Sequence, residues 1–187
     1  MQWKQDKSRQ HGLTLIETMI ALTVLSIGMM AMGSLLMTSI ASDTRNTTDT
    51  RGTLVAQMVM EQIAAKSLGS SFTLTDCNPS GATTWTLNTT GAASPGAGAN
   101  LDSNGNIDFT QSYTTLTTNS PGYAMLFVTC GSATSNAAVY DVRWNVQTLN
   151  TYSVQVTVAA RQTAVTTDGT LLRYFSPPVT LKTVTGQ

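Results

Sequence analysis

From Thr18 to Ser42 the chain carries no charged residue, and apolar side chains fill most of the positions. At about 1.5 Å of rise per residue the run makes a helix of roughly 37 Å, longer than a hydrocarbon core of about 30 Å. The pattern therefore predicts a helix able to span a membrane. Beyond it, Leu54, Val55, Met58, Val59, Gln62 and Ile63 recur at spacings of three and four, with Asp49, Arg51, Glu61 and Lys66 on other faces. That is an amphipathic pattern. Together the two runs predict one helix from Leu13 to Ser67, ending near Gly69. Asn46, Thr47 and Thr48 are poor helix formers, so a break between Thr44 and Thr53 is the alternative.

After Ser70 the period shortens to two. Tyr140, Val142, Trp144 and Val146 alternate with Asp141, Arg143, Asn145 and Gln147; Tyr152, Val154, Val156 and Val158 alternate with Ser153, Gln155 and Thr157. This predicts a half-buried antiparallel hairpin around Leu149 and Asn150. Tyr123–Thr129 and Val179–Val184 supply two more strands. A sheet of about four strands whose apolar face covers the helix stripe satisfies both patterns, giving an α+β class. The stretch Asn88–Asn106, rich in Gly, Ala, Ser, Thr and Asn, reads as a surface loop.

Charge orients this arrangement. Lys4, Asp6, Lys7 and Arg9 precede the apolar run and leave a positive leader, while Asp43 and Arg45 cancel after it. The positive-inside rule then keeps residues 1–12 in the cytoplasm and exports the remainder. A cleavable signal peptide cut at Ser39-Ile40-Ala41 and an uncleaved signal anchor are both rival readings. The apolar run is longer than the roughly 7 to 15 residues of a cleavable core, and it opens with Glu17, an acid that is costly in a membrane without a partner. The formal net charge of the chain is zero, and no Lys or Arg stands between Lys66 and Arg143. About half of the head thus has nothing to neutralise phosphate, which argues against nucleic acid as a partner.

Candidate chemistry is sparse. His11 is the only histidine and lies in the leader, so the exported part offers no imidazole for Ser-His-Asp or Cys-His catalysis or for zinc. No phosphate-binding glycine loop is present, and no cofactor is implied. Asp141 and Asp168 stand in ordinary strand and turn contexts, where a solvated aspartate is expected rather than an acid–base pair. The reading is of a protein that is not an enzyme. Cys77 and Cys130 are the only cysteines and both fall on the exported side, where an even pair is most simply a disulfide; two buried free thiols would need a reducing compartment. Asp102, Asn104, Asn106 and Asp108 alternate as oxygen ligands for calcium would. The match is partial: Gly105 is at the fourth position rather than the sixth, and Tyr113 replaces the twelfth-position acid, so a turn stabilised by Asn and Asp competes with a metal site.

The leader followed by Gly12, then Leu13-Thr14-Leu15-Ile16-Glu17 and the apolar helix, resembles the class III signal of type IV pilins and of the pseudopilins of type II secretion. The resemblance implies that a prepilin peptidase cuts between Gly12 and Leu13 and methylates Leu13, and that Glu17 pairs with the N-terminal amine of a neighbouring subunit. Leu13 replaces the more usual phenylalanine, and no proline kinks the apolar half, which has Gly28 and Gly33 instead. The stretch Ile27–Leu36 is similar to minor pilins of the PilV type. The implied organisation is a leader over 1–12, a transmembrane and assembly half-helix over 13–42, an amphipathic half over 43–69 and a periplasmic head over 70–187. The implied place is the inner membrane and then a pilus. Its partners are the peptidase, other minor pilins, the major pilin and an inner-membrane assembly platform. A minor pseudopilin, and a pilus subunit whose head is an adhesin or DNA receptor, are the alternatives. Calcium binding among major pseudopilins keeps the 102–108 loop of interest.

Overall fold

A computed structural model describes residues 14–66, 69–78, 81–130, 138–165, 171–173 and 177–186. Gly12 and Leu13, with His11 and Asp168, lie outside the described residues. The N-terminal element is one unbroken helix, α1 (Leu15–Ala64). Asn46, Thr47 and Thr48 do not interrupt it: Thr50 and Thr53 hydroxyls bond back to the carbonyls of Asn46 and Asp49 at 2.7 and 2.8 Å, spending their hydrogen bonds within the helix. The helix stops at Ala64, three residues short of the expected end. The chain divides into two compact units between Thr44 and Arg45.

The second unit contains a six-stranded antiparallel sheet in four ranks. A long hairpin, β5 (Val139–Asn150) and β6 (Ser153–Val165), forms its centre. On the outer side of β5 lie β4 (Ala124–Val128) and the two-residue β3 (Ala97–Gly98); on the outer side of β6 lie β7 (Leu171–Arg173) and β8 (Val179–Gly186). The expected four strands are thus four ranks, two of them shared. The hairpin turns two residues later than expected: Asn150 pairs with Ser153, and Tyr152 sits in the turn, 79% exposed, with its amide on Asn150 Oδ1 at 2.8 Å.

One face of the sheet receives the C-terminal part of α1. Val55, Ala56, Val59 and Ile63 pack with Tyr140, Val142, Trp144 and Val146 of β5 and with Val154, Val156, Val158 and Ala160 of β6. The helical spacing of that stripe is the one the pattern predicts, but Leu54 and Gln62 fall beside it and are exposed. Trp144 is fully buried, and its indole N–H donates to Asn88 O at 2.9 Å, so the largest core side chain leaves no orphan donor. Tyr140 reaches the helix, donating to Thr48 O at 3.2 Å.

The other sheet face departs from expectation. Alternation alone places Asp141, Arg143 and Asn145 in water, yet all three are buried. The covering layer is the segment expected to be a plain surface loop, together with residues 107–116. Ala99, Ile107 and Phe109, with Leu116 of a short helix α2 (Tyr113–Asn119), pack on Ala124 and Ala159 from that side. Within the segment β3 pairs with β5, and Ala92 bridges to Gln147. Gly98 holds the close approach: its φ is +106°, and a Cβ there would run into the Tyr123 ring and the Trp144 carbonyl. Ser112 caps α2 by accepting the Thr115 amide at 3.1 Å. Helix α2 has no hydrophobic period to signal it, whereas the two-stranded sheet of β1 (Ser71–Thr75) and β2 (Thr84–Asn88), additional to the expected strands, follows a short period-two alternation; Phe72, Leu74 and Trp85 of that ribbon pack against the main core.

Candidate functional site

The functional candidates fall into the N-terminal helix and the head. At the start of α1, Thr14 O accepts the amides of Glu17 at 3.0 Å and Thr18 at 3.2 Å, closing the first turn. Glu17 lies in that turn, where an acid meets the positive end of the helix dipole. It is the sole charged residue between Gly12 and Asp43. Every described residue from Thr14 to Arg45 is exposed, including Leu15, Ile16, Met19 and Ile20 at 59 to 78%. The core helix of a globular protein would be covered; this one presents a continuous apolar surface and is long and apolar enough to cross a membrane. Serine and threonine in it do not break the apolar character, since Thr18, Thr23, Ser26, Ser34 and Thr38 donate to carbonyls of their own helix.

In the head, Cys77 and Cys130 are joined as a disulfide across a separation of 53 residues. The bond stands where the β1–β2 ribbon meets β4, beside a hydrogen bond from Cys77 N to Val128 O at 3.1 Å. Asp76 next to it is buried, and its carboxylate accepts from the amides of Asn78 and Thr83 and from the Trp85 indole. The loop Asp102–Asp108 is a turn of the Asn and Asp kind. Asp102 Oδ1 accepts the amides of Asn104 and Asn106, both at 2.8 Å, while Asp108 Oδ1 accepts Thr110 N at 2.7 Å. Lys182 of β8 donates to the backbone oxygen of Asn104 at 3.2 Å, placing an ammonium against the loop that the calcium reading would use. Among the described residues no three His, Cys, Asp or Glu side chains gather as a metal set.

Asp141 corrects its expectation outright. Rather than being solvated, it forms a bidentate pair with Arg143, Nε to Oδ1 at 2.9 Å and Nη2 to Oδ2 at 2.7 Å, with both side chains 1% exposed. Arg143 Nη1 also donates to Gln111 O at 2.7 Å, and the guanidinium groups of Arg143 and Arg161 lie over the Phe109 ring, 4.8 and 4.3 Å from its centroid. The cluster fastens residues 99–113 to the sheet. A signal for it did exist: residues two apart on a strand share a face, so Asp141 and Arg143 of opposite charge were neighbours whichever way that face pointed.

Tyr113 borders this cluster with its hydroxyl buried and, among the described residues, without a hydrogen-bond partner. Burial, reinforced by Asp141 and opposed by Arg143, pushes its pKa up to about 12. The folded phenol therefore stays neutral where the unfolded one, with an ordinary pKa of about 10, ionises. The contribution is complete below pH 10 and is lost as pH rises from 10 toward 12. Tyr113→Phe is expected to stabilise the head by about 1 kcal/mol at neutral pH, by deleting an unsatisfied buried hydroxyl, and to flatten that alkaline loss. Urea denaturation at pH 7 and at pH 11 tests both; a Phe variant less stable at pH 7 would show that the hydroxyl has a partner in solution.

A family model described as the prokaryotic N-terminal methylation motif matches residues 7–33. It covers residues 7–12 of the leader, the Gly12–Leu13 junction, Glu17 and the apolar run through Gly33. No curated protein and no solved structure matches the chain. The motif supports a precursor of type IV pilin-like or pseudopilin kind, which implies processing by a prepilin peptidase and assembly at the membrane.

Proposed function

We propose that this chain, which carries the N-terminal methylation motif of pilin-like precursors, is a minor type IV pilin that helps to initiate pilus assembly. Residues 1–12 are its cytoplasmic leader, 13–42 its membrane and assembly half-helix, 43–69 the amphipathic half and 70–187 the periplasmic head. The observation that carries the reading is Glu17, one acid at the start of an apolar helix that has no protein cover. An acid entering an apolar environment is tolerable only when paired. The amine of Leu13 on a neighbouring subunit, created by the cut after Gly12, is a partner of opposite charge about one helical turn from the depth of Glu17. Other minor pilins, the major pilin and the inner-membrane platform are the surroundings in which such pairing occurs. The lack of proline in the apolar half and the likeness of Ile27–Leu36 to minor pilins of the PilV type favour an initiating role over that of the main fibre subunit. The protein works through its helix and shape, with no catalytic step.

Mass and N-terminal analysis of protein from its native host is expected to find methylated Leu13 as the first residue. Gly12→Val is expected to block processing by setting a branched side chain at the cut. Glu17→Leu is expected to be inserted and processed, because loss of an acid removes an insertion cost. Its incorporation into the initiating complex is expected to fall at least about tenfold, because the neighbouring amine is left uncompensated. Cross-linking in the host measures it. Entry of Glu17→Leu at the native level would refute the pairing role, and an N-terminus at Ser42 would refute the pilin reading itself. Co-purification with a secretion channel rather than with other minor pilins would assign the chain to type II secretion.

A further inference from the structure

Asn104-Gly105 is the sole Asn-Gly pair in the chain, and it sits in the exposed turn where Lys182 meets the 102–108 loop. We propose that Asn104 is a self-modifying position: the pair deamidates without an enzyme, and the Lys182 ammonium promotes the step. Glycine presents no side chain to keep its amide nitrogen from approaching the Asn104 carboxamide. Exposure of Asn104 gives hydroxide and water access. Lys182 Nζ lies 3.2 Å from Asn104 O, which is the oxygen of the same peptide unit as the Gly105 nitrogen. When hydroxide removes the Gly105 N–H proton, the negative charge spreads over that nitrogen and that oxygen through the amide resonance. A cation held on the oxygen stabilises the anion. One interaction opposes this, since Gly105 N–H donates to Asp102 O at 2.9 Å and must let go. That bond is neutral, whereas the lysine bond becomes charge-assisted at both ends, a type about twice as strong as a neutral one.

The anionic nitrogen attacks Cγ of Asn104, the Cγ–Nδ2 bond breaks, and the amide nitrogen leaves as ammonia after taking a proton from water. A succinimide remains, and a second water opens one of its two carbonyls to give aspartate or isoaspartate. Either product adds a carboxylate to the residue whose backbone oxygen Lys182 holds and takes the formal net charge of the chain from zero to −1. Isoaspartate also adds a methylene to the main chain of a turn whose amides are held by Asp102.

Full-length protein in detergent, incubated at neutral pH and physiological temperature and mapped by peptide mass spectrometry, tests the proposal. Asn100 and Asn106, which precede Leu101 and Ile107, are internal controls. Asn104 is expected to convert at least about tenfold faster than either, because only its following residue lacks a side chain. Lys182→Met is expected to slow that conversion about threefold or more, and Lys182→Arg to retain it, since both native and Arg side chains keep a cation on the oxygen. Conversion at Asn104 no faster than at Asn106 would overturn the proposal. An unchanged or higher rate in Lys182→Met would equally overturn the promoting role of the ammonium.

Discussion

Arg143→Met is expected to destabilise the head by about 3 to 5 kcal/mol, the cost of stranding a buried carboxylate. Asp141 and Arg143 are each 1% exposed, so water cannot take over when the guanidinium is removed. The variant also leaves Gln111 O without its 2.7 Å donor and strips one cation from the face of Phe109. All of these losses fall on the layer of residues 99–113 that closes the second sheet face. The control is the double variant Asp141→Val with Arg143→Met. Two apolar residues replace the pair, and most of the lost stability is expected to return, because paired charges contribute little net stability over a well-packed apolar alternative. Urea denaturation of the full chain in detergent reads both. A single variant within about 1 kcal/mol of the native protein would mean that Asp141 stays hydrated and that the covering layer is not seated as described.

Loss of the Cys77–Cys130 bond is expected to cost about 4 kcal/mol, from the loop entropy of a closure spanning 53 residues. For a head of this size that corresponds to a fall in melting temperature of roughly 10 °C or more. The closed loop contains β2, β3, α2 and β4, so its release enlarges the freedom of nearly all of the less regular half of the head. Cys77→Ser with Cys130→Ser, or reduction of the native protein, supplies the comparison. Thiol labelling of exported protein before reduction gives the prior check. Full labelling of both cysteines at that stage would show that the bond does not form in the cell, and with it the stability difference would vanish.

Long and regular elements were legible because their patterns are local. Twenty-five uncharged positions from Thr18 to Ser42 specify an apolar helix whatever surrounds them, and the stripe Val55, Val59, Ile63 specifies the face on which it packs. Val142, Trp144 and Val146, set against Val154, Val156 and Val158, specify a hairpin and the side that meets the helix. Weakly patterned segments were not legible. Ser71–Thr75 and Thr84–Asn88 do alternate, with Phe72 and Leu74 on one and Trp85 and Leu87 on the other, but two apolar positions apiece make a short signal beside the long hairpin, and Tyr113–Asn119 consists mostly of poor helix formers held by one cap and by Leu116.

The sequence by itself determined the N-terminal signal, because such a signal depends on consecutive residues: Gly12, the apolar pentad, Glu17 and the charge-free run are contiguous, and the matched motif covers residues 7–33 of that stretch. Tertiary structure alone decided the state of the polar side of the sheet. Alternation fixes that Asp141, Arg143 and Asn145 share a face, but whether that face meets water depends on residues 99–116, which lie some thirty positions away and have no period of their own. Phe109 and Leu116 bring that segment down, and Arg143, bonded to both Asp141 and Gln111, makes burial of its own charge tolerable. Period-two patterning carries the side of a residue, while its burial is set by what the rest of the chain lays over it.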